Sequence, residues 1–152
     1  MSAQIHRLSE YHSHDSRLLI PEGKYDVGYT HHEAWVYNGR QPKISMFFRI
    51  LTLGEHYEKP IRAFYNVKSF KSGKGKRSKG AKINVGWSSD FMLDYSICFG
   101  TPARKDRFNF QNFESHILRA NVVTVKKNRK QRLLPEGLQY SKIDQLLGVV
   151  ET

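Results

Sequence analysis

Near residue 87 the spacing of the apolar residues changes, and this change constrains the fold more than any other feature of the chain. Before it, apolar side chains recur at every second position. Tyr25, Val27 and Tyr29 alternate with Lys24, Asp26 and Gly28, the pattern of a half-buried strand. Pro21-Glu-Gly23 announces that strand, and Ala34-Trp35-Val36-Tyr37 continues it to a tight-turn signal at Asn38-Gly39. Lys43 to Thr52, with Ile44, Phe47, Phe48 and Ile50, reads as a second, more buried strand, because β-branched and aromatic side chains suit a pleated surface. A loop from Leu53-Gly54 to Lys59-Pro60 leads to a third strand over Ile61 to Val67.

After the change, Ser88-Ser89-Asp90 has the chemistry of a helix start: hydroxyls for the free amides, then a carboxylate at the positive end of the dipole. Phe91, Tyr95, Cys98 and Phe99 share a face at spacings of three and four, and Gly100 and Pro102 supply the stop. A short helical turn is expected near Gln111 to Phe113 and a fourth strand over His116 to Lys127. Asn128-Arg129-Lys130-Gln131 forms a basic hairpin tip, Leu133-Leu134-Pro-Glu-Gly137 interrupts the next strand, and Ser141 to Leu147 reads as a terminal helical turn.

Too few strands are present for an immunoglobulin-type sandwich, and strands do not alternate with helices as in a doubly wound sheet. A mainly β fold remains: an OB-like antiparallel five-stranded barrel with one helix between strands 3 and 4. At 152 residues the chain makes one domain. It divides into a flexible polar arm (1–19), the OB-like domain (20–148, with a basic loop at 68–82) and a tail (149–152). Cys98 stands alone, which excludes an internal disulfide or a cysteine zinc cage and makes it a small buried hydrophobe.

The net charge of +11 is concentrated. Lys59 to Ser89 carries nine Lys or Arg and no Asp or Glu, residues 104–132 carry nine basic and two acidic side chains, and residues 1–58 are close to neutral with six and seven. The centre of the first segment, Lys71 to Lys82, is Gly/Ser-rich and holds nothing apolar larger than Ala81. Phe64, Tyr65 and Phe70 precede it, and Trp87 and Phe91 follow. Cations release counterions from phosphates and rings stack on bases, so this pairing fits a single-stranded polyanion. No stretch reaches the roughly 20 apolar residues of a membrane span, neither basic segment is an amphipathic helix, and the first residues lack a signal-peptide layout. A cytoplasmic, intracellular protein without a membrane partner is expected.

Catalytic signals are weak. His12-x-His14-Asp15 and His31-His32-Glu33 have metal-ligand residue types, but adjacent histidines on a strand diverge and no zinc-site spacing completes either set, so no metal and no cofactor are expected. Gly73-Lys74-Gly75-Lys76 lacks the spacer of a phosphate-cradling loop, and no Ser stands in an elbow motif. Asp90 and Asp94, four apart on the helix, read as solvent-exposed charges rather than a nuclease pair.

Ile20-Pro-Glu-Gly23-Lys-Tyr-Asp-Val27, the hairpin to Phe47-Phe-Arg-Ile50, the Gly54-Glu-His-Tyr-Glu-Lys59 loop and Arg62-Ala-Phe-Tyr-Asn66 resemble the first half of a phage and mobile-element family of OB-fold proteins. The resemblance covers roughly residues 20–127 and rests on layout and a loose pattern. The chain departs from it in the Lys-rich insert after Phe70 and in the segment from Leu133 to Thr152. The resemblance implies single-stranded DNA binding, with DNA favoured over RNA.

The reading is a non-catalytic binder of single-stranded nucleic acid. Lys68, Lys71, Lys74, Lys76, Arg77, Lys79 and Lys82, helped by Arg62, carry the backbone; Lys126, Lys127, Arg129, Lys130 and Arg132 extend the track. Tyr65, Trp87, Trp35 and Tyr37 are the base platforms. Tyr65 is preferred to its neighbour Phe64 as the exposed ring because its hydroxyl tolerates water. Tyr29 is a further candidate, and Trp87 is favoured over Trp35 because it stands where the basic loop returns. The alternative is an interaction protein whose basic face binds an acidic protein surface, such as an inhibitor of a nucleic-acid-handling complex.

Overall fold

The computed structural model describes residues 19–36, 39–71 and 78–150. The polar arm up to residue 18 lies outside them, as do Tyr37, Asn38, Lys74, Lys76 and Arg77. The strands are β1 (Gly23–Trp35), β2 (Lys43–Ile50), β3 (Pro60–Asn66), β4 (Ser69–Lys71), β5 (Lys82–Asn84), β6 (Leu118–Val125) and β7 (Tyr140–Val149). Helices α1 (Asp90–Phe99) and α2 (Gln111–Ser115) lie between β5 and β6, and a 3-10 turn (Glu136–Leu138) precedes β7.

Five strands form one sheet in the order β1-β2-β3-β7-β6, which closes because β6 pairs back onto the first part of β1. All neighbours are antiparallel except β3 and β7, which run parallel with Ala63 opposite Ile143. That pair corrects the expectation of a wholly antiparallel sheet. A second correction concerns Ser141 to Leu147, which is strand and not a helical turn. The β6–β7 register slips between Arg119 and Ala120 and again between Asn121 and Val122. Ile143 and Leu146 therefore both face the core three positions apart, a helix-like spacing produced by bulges. The strand runs to Val149, and Val150 N donates to Ile117 O at 2.8 Å, so the domain extends past residue 148.

The early strands follow their alternation. Ile44, Met46, Phe48 and Ile50 of β2 and Ile61, Ala63 and Tyr65 of β3 point inward. Gly39, at φ 69, takes the left-handed conformation the β1–β2 turn requires. Ser89 caps α1, its Oγ accepting from Met92 N at 3.1 Å, and Gly100 ends it at φ 89 with its N–H on Ser96 O.

The helix brings Phe91 and Tyr95 into the core, where Phe108, Phe110 and Phe113 complete an aromatic plug with centroid separations of 5.0–6.1 Å to Phe91. Tyr29 packs edge-on to Phe48 and against Phe110 and Phe113. Phe91 and Tyr29 are thus core rings and not base platforms. Cys98 is half-buried against the core, with its thiol pushed up to about 12 by burial. Among the described residues no helix is long and apolar enough to cross a membrane.

Asp94 departs most from expectation. It is 4% exposed, and its Oδ2 accepts from Tyr65 Oη at 2.7 Å and Leu146 N at 3.2 Å. Burial outweighs both hydrogen bonds and raises its carboxyl to about 6. Because the folded chain binds this proton more tightly than the unfolded one, the group adds stability as pH falls through about 6 towards 4. The gain is up to about 3 kcal/mol, of order 1.4 kcal/mol for each tenfold difference in proton affinity. Asp94→Asn keeps an acceptor and removes the titration. The difference in melting temperature, parent minus variant, is therefore expected to grow as pH is lowered from 7 to 4; a constant difference in a pH series of thermal melts would refute the assignment.

Candidate nucleic-acid interface

The outer face of β1, β2 and β3 is a grid fixed by register. His31, Phe47 and Arg62 form one row, Glu33, Ser45 and Phe64 the next, and Trp35, Lys43 and Asn66 the third. Alternation puts these side chains opposite the core set. His31 stacks on Phe47 with centroids 4.4 Å apart and planes within 5°. The Arg62 guanidinium lies over both Phe47 (5.4 Å) and Phe64 (5.5 Å), and Phe64 meets Tyr140 of β7 edge-on at 6.4 Å. A strip of π faces joined by one cation therefore crosses four strands. Glu33 is the acid of the grid, and His31 Nε2 sits 3.3 Å from its Oε2.

The third row ends in an open groove of about 530 Å³ lined by Trp35, Arg40, Gln41, Lys43, Asn66 and Arg129. Trp35 Nε1 donates to Ser45 Oγ at 2.9 Å, which anchors the half-buried indole to the sheet face. Lys43 Nζ donates to Asn66 Oδ1 at 2.7 Å. Arg129 arrives from the β6–β7 hairpin. Asn128 builds its tip, with Oδ1 accepting from Lys130 N at 2.9 Å and Arg132 N at 3.0 Å. Lys126, Lys127, Arg129, Lys130 and Arg132 are all exposed there.

The basic loop is rooted on the barrel by a buried histidine. His32 is 4% exposed and stacks on Phe110 at 3.9 Å. Its Nε2 donates to Ala81 O at 2.8 Å, which leaves Nδ1 to accept from Tyr29 Oη at 2.7 Å. Backbone bonds from Gly80 N to His32 O and from Ala34 N to Ser78 O lay this root along the far half of β1. Lys79 is exposed, and so are Lys68, Lys71 and Lys82. Lys71 and Lys82 are direct partners in the β4–β5 ribbon.

Arg62, Trp35, Lys79 and the hairpin cations thus lie at or near the surface where the sequence places them. Tyr65 does not. It is 5% exposed inside the barrel, and its burial and the nearby Asp94 hold its hydroxyl protonated. Phe64 is the outward ring, a correction with a plain cause: the phase of β3 is set by Ile61 and Ala63, both inward, which puts Tyr65 inward and Phe64 outward. Sequence reasoning also missed His31, Phe47, Lys43, Arg40 and Tyr140. The cross-strand register, which no single strand pattern reveals, is what gathers them. Trp87 is 50% exposed in the turn before α1, apart from this grid. Tyr37, Lys74, Lys76 and Arg77 lie outside the described residues.

No protein-family model, curated protein or solved structure matches this chain.

Two outcomes follow from these placements. Burial lowers the proton affinity of His32, so the stability it contributes is complete above about pH 6.5, where unfolded histidine is neutral, and is lost as pH falls below that value. His32→Phe keeps the stacking but strands Ala81 O and Tyr29 Oη. It is expected to cost about 1–3 kcal/mol, to raise amide exchange at Gly80 and Ala81, and to abolish that pH-dependent loss. Trp87→Ala, at an exposed site, is expected to shift stability by no more than about 0.5 kcal/mol in denaturant melts. A loss of 3 kcal/mol or more would mean that its ring is structural.

Proposed function

We propose that this protein binds single-stranded nucleic acid, without catalysis, along the outer face of β1–β3. The observation that carries the reading is the Arg62 guanidinium bridging Phe47 and Phe64 in a partly exposed strip that runs on to the Trp35 groove. Bases stack on aromatic rings and on guanidinium planes alike, and Lys43, Arg40 and Arg129 stand where phosphates would pass. The proposal includes an OB-like barrel. Supporting it are the strand order, the parallel β3–β7 closure and the helices placed before β6. In that architecture the face of the second and third strands, with the loops after the first and fourth barrel strands, is the oligonucleotide surface. DNA is favoured over RNA on the resemblance to phage and mobile-element proteins. The location would be intracellular.

The test is a fluorescence titration against single-stranded DNA, single-stranded RNA and duplex at two salt concentrations. Five phosphate contacts would give a slope near −3.5 in log K against log salt. Phe64→Ala and Phe47→Ala are each expected to weaken binding by about 1–3 kcal/mol. Tyr65→Phe, which removes a buried hydrogen bond, should lower stability and leave affinity unchanged. Salt-independent binding, or tighter binding to duplex, would defeat the proposal. Absence of binding near physiological salt would turn attention to an acidic protein partner.

A further inference from the structure

A second open groove, of about 700 Å³, lies between the β4–β5 ribbon and the segment from Asp106 to Phe110. Phe70, Phe108 and Phe110 line it, each partly exposed while packed against the core. Lys71 and Lys82 belong to the same lining, both exposed and directly opposite each other in the ribbon register. Like charges in that position destabilise a strand pair, and the ribbon has three residue pairs with which to resist. Among the described residues neither lysine has a carboxylate partner. Asp106, the acid on this lining, is engaged by Arg104 at 3.3 Å. Asn84 is exposed beside the lysines, and no described group takes up its carboxamide. The chemistry of the groove is that of a nucleotide site: an aromatic wall for a base, an amide for a base edge and two unneutralised cations for a phosphate.

One short stretch of chain links the groove to the sheet face. Asn66 lines the Trp35 groove and Ser69 lines this one, with two residues between them. That junction is tied down by Val67 N on Pro42 O at 3.0 Å and Lys68 N on Asn84 O at 2.8 Å. Exposed Lys68 sits at the junction, its stem near Gly86.

We infer that the groove is a second nucleotide subsite for the same strand, holding a base against Phe70 and Phe108 with a phosphate between Lys71 and Lys82. The inference rests on the reading of the sheet face as a single-strand track and extends that track past the end of β3. The bound strand is therefore longer than the sheet face alone would cover.

The experiment uses the full chain with two oligothymidylates, one of about 4 nucleotides and one of about 16, the limits of footprint for a domain of this architecture. The double substitution Lys71→Ser with Lys82→Ser changes two exposed side chains. It is expected to weaken the long oligonucleotide about tenfold and to flatten its salt slope by about 1.4, at about 0.7 per lost contact. The short one should change less than twofold. Photo-crosslinking of the parent protein to a long oligonucleotide carrying 5-iododeoxyuridine should label the peptide containing Phe108 or Phe70, a readout independent of whether the variant folds. Equal weakening of both lengths would overturn the inference by showing a diffuse field and not a subsite. An unchanged long oligonucleotide, with crosslinks confined to the sheet face, would overturn it while leaving the sheet reading intact. If the parent binds neither length, the sheet reading itself has failed and this inference falls with it.

Discussion

Asp94 sits where α1, β3 and β7 meet, and its Oδ2 accepts from both Tyr65 Oη and Leu146 N. The second bond matters because β7 cannot satisfy all its backbone with neighbours. It joins β3 by a single parallel register pair and meets β6 across two irregularities. A buried amide left without an acceptor costs about 1–3 kcal/mol, and here a side chain from another element supplies one. The same carboxylate accepts from the Tyr65 hydroxyl inside the barrel and so satisfies it in the phase that Ile61 and Ala63 set for β3. That phase decides which ring of the Phe64-Tyr65 pair reaches solvent. Closure of the sheet and composition of the outer face therefore share one buried acid, whose partial neutralisation near pH 6 lightens the desolvation that its position imposes.

His32 does the corresponding work on the other side. The first part of β1 pairs with β6, and the later part, past His32, has no described barrel strand on that edge. Residues 78–81 cover it instead, through the Gly80 and Ala34 backbone bonds and the His32 link to Ala81. A Lys-rich loop is thereby fastened at its root by a neutral, stacked imidazole that takes no part in its charge. Edge protection and presentation of cations are met by the same short segment, consistent with the way charged residues blunt exposed sheet edges.

The first three strands, the Ser89 cap, the Gly100 stop and the basic hairpin tip were legible because each depends on neighbours in sequence. What was not legible depends on pairing. The bulges of β6–β7 space Ile143 and Leu146 as a helix would, so local periodicity misassigns β7. Asp94 reads as an exposed charge because its partners lie 29 and 52 residues away. The preference for Tyr65 over Phe64 used side-chain chemistry, a hydroxyl's tolerance of water, where packing phase was decisive. The hydroxyl found a carboxylate instead of water. The candidate site was legible as charge and as aromatic content, but its geometry was not. Phe47, Phe64 and Arg62 become a unit only once β2 and β3 are set in register.

The distribution of rings shows how one sheet serves two solvents. Inside, Phe48, Phe91, Phe113 and their neighbours meet mostly edge-to-face or tilted, which lets a plug of many rings fill the core without leaving a flat face free. Outside, His31 lies flat on Phe47, and Arg62 spans two rings. This flat outer stack joined by a cation leaves Phe47 and Phe64 only partly buried. Its stabilisation of the free protein is correspondingly small, because exposed cation–π contacts contribute only about 0.5–1 kcal/mol. On the proposed function, a flat, negatively charged partner completes it. The opposed pair Lys71 and Lys82, costly in the free protein, follows the same logic on the ribbon.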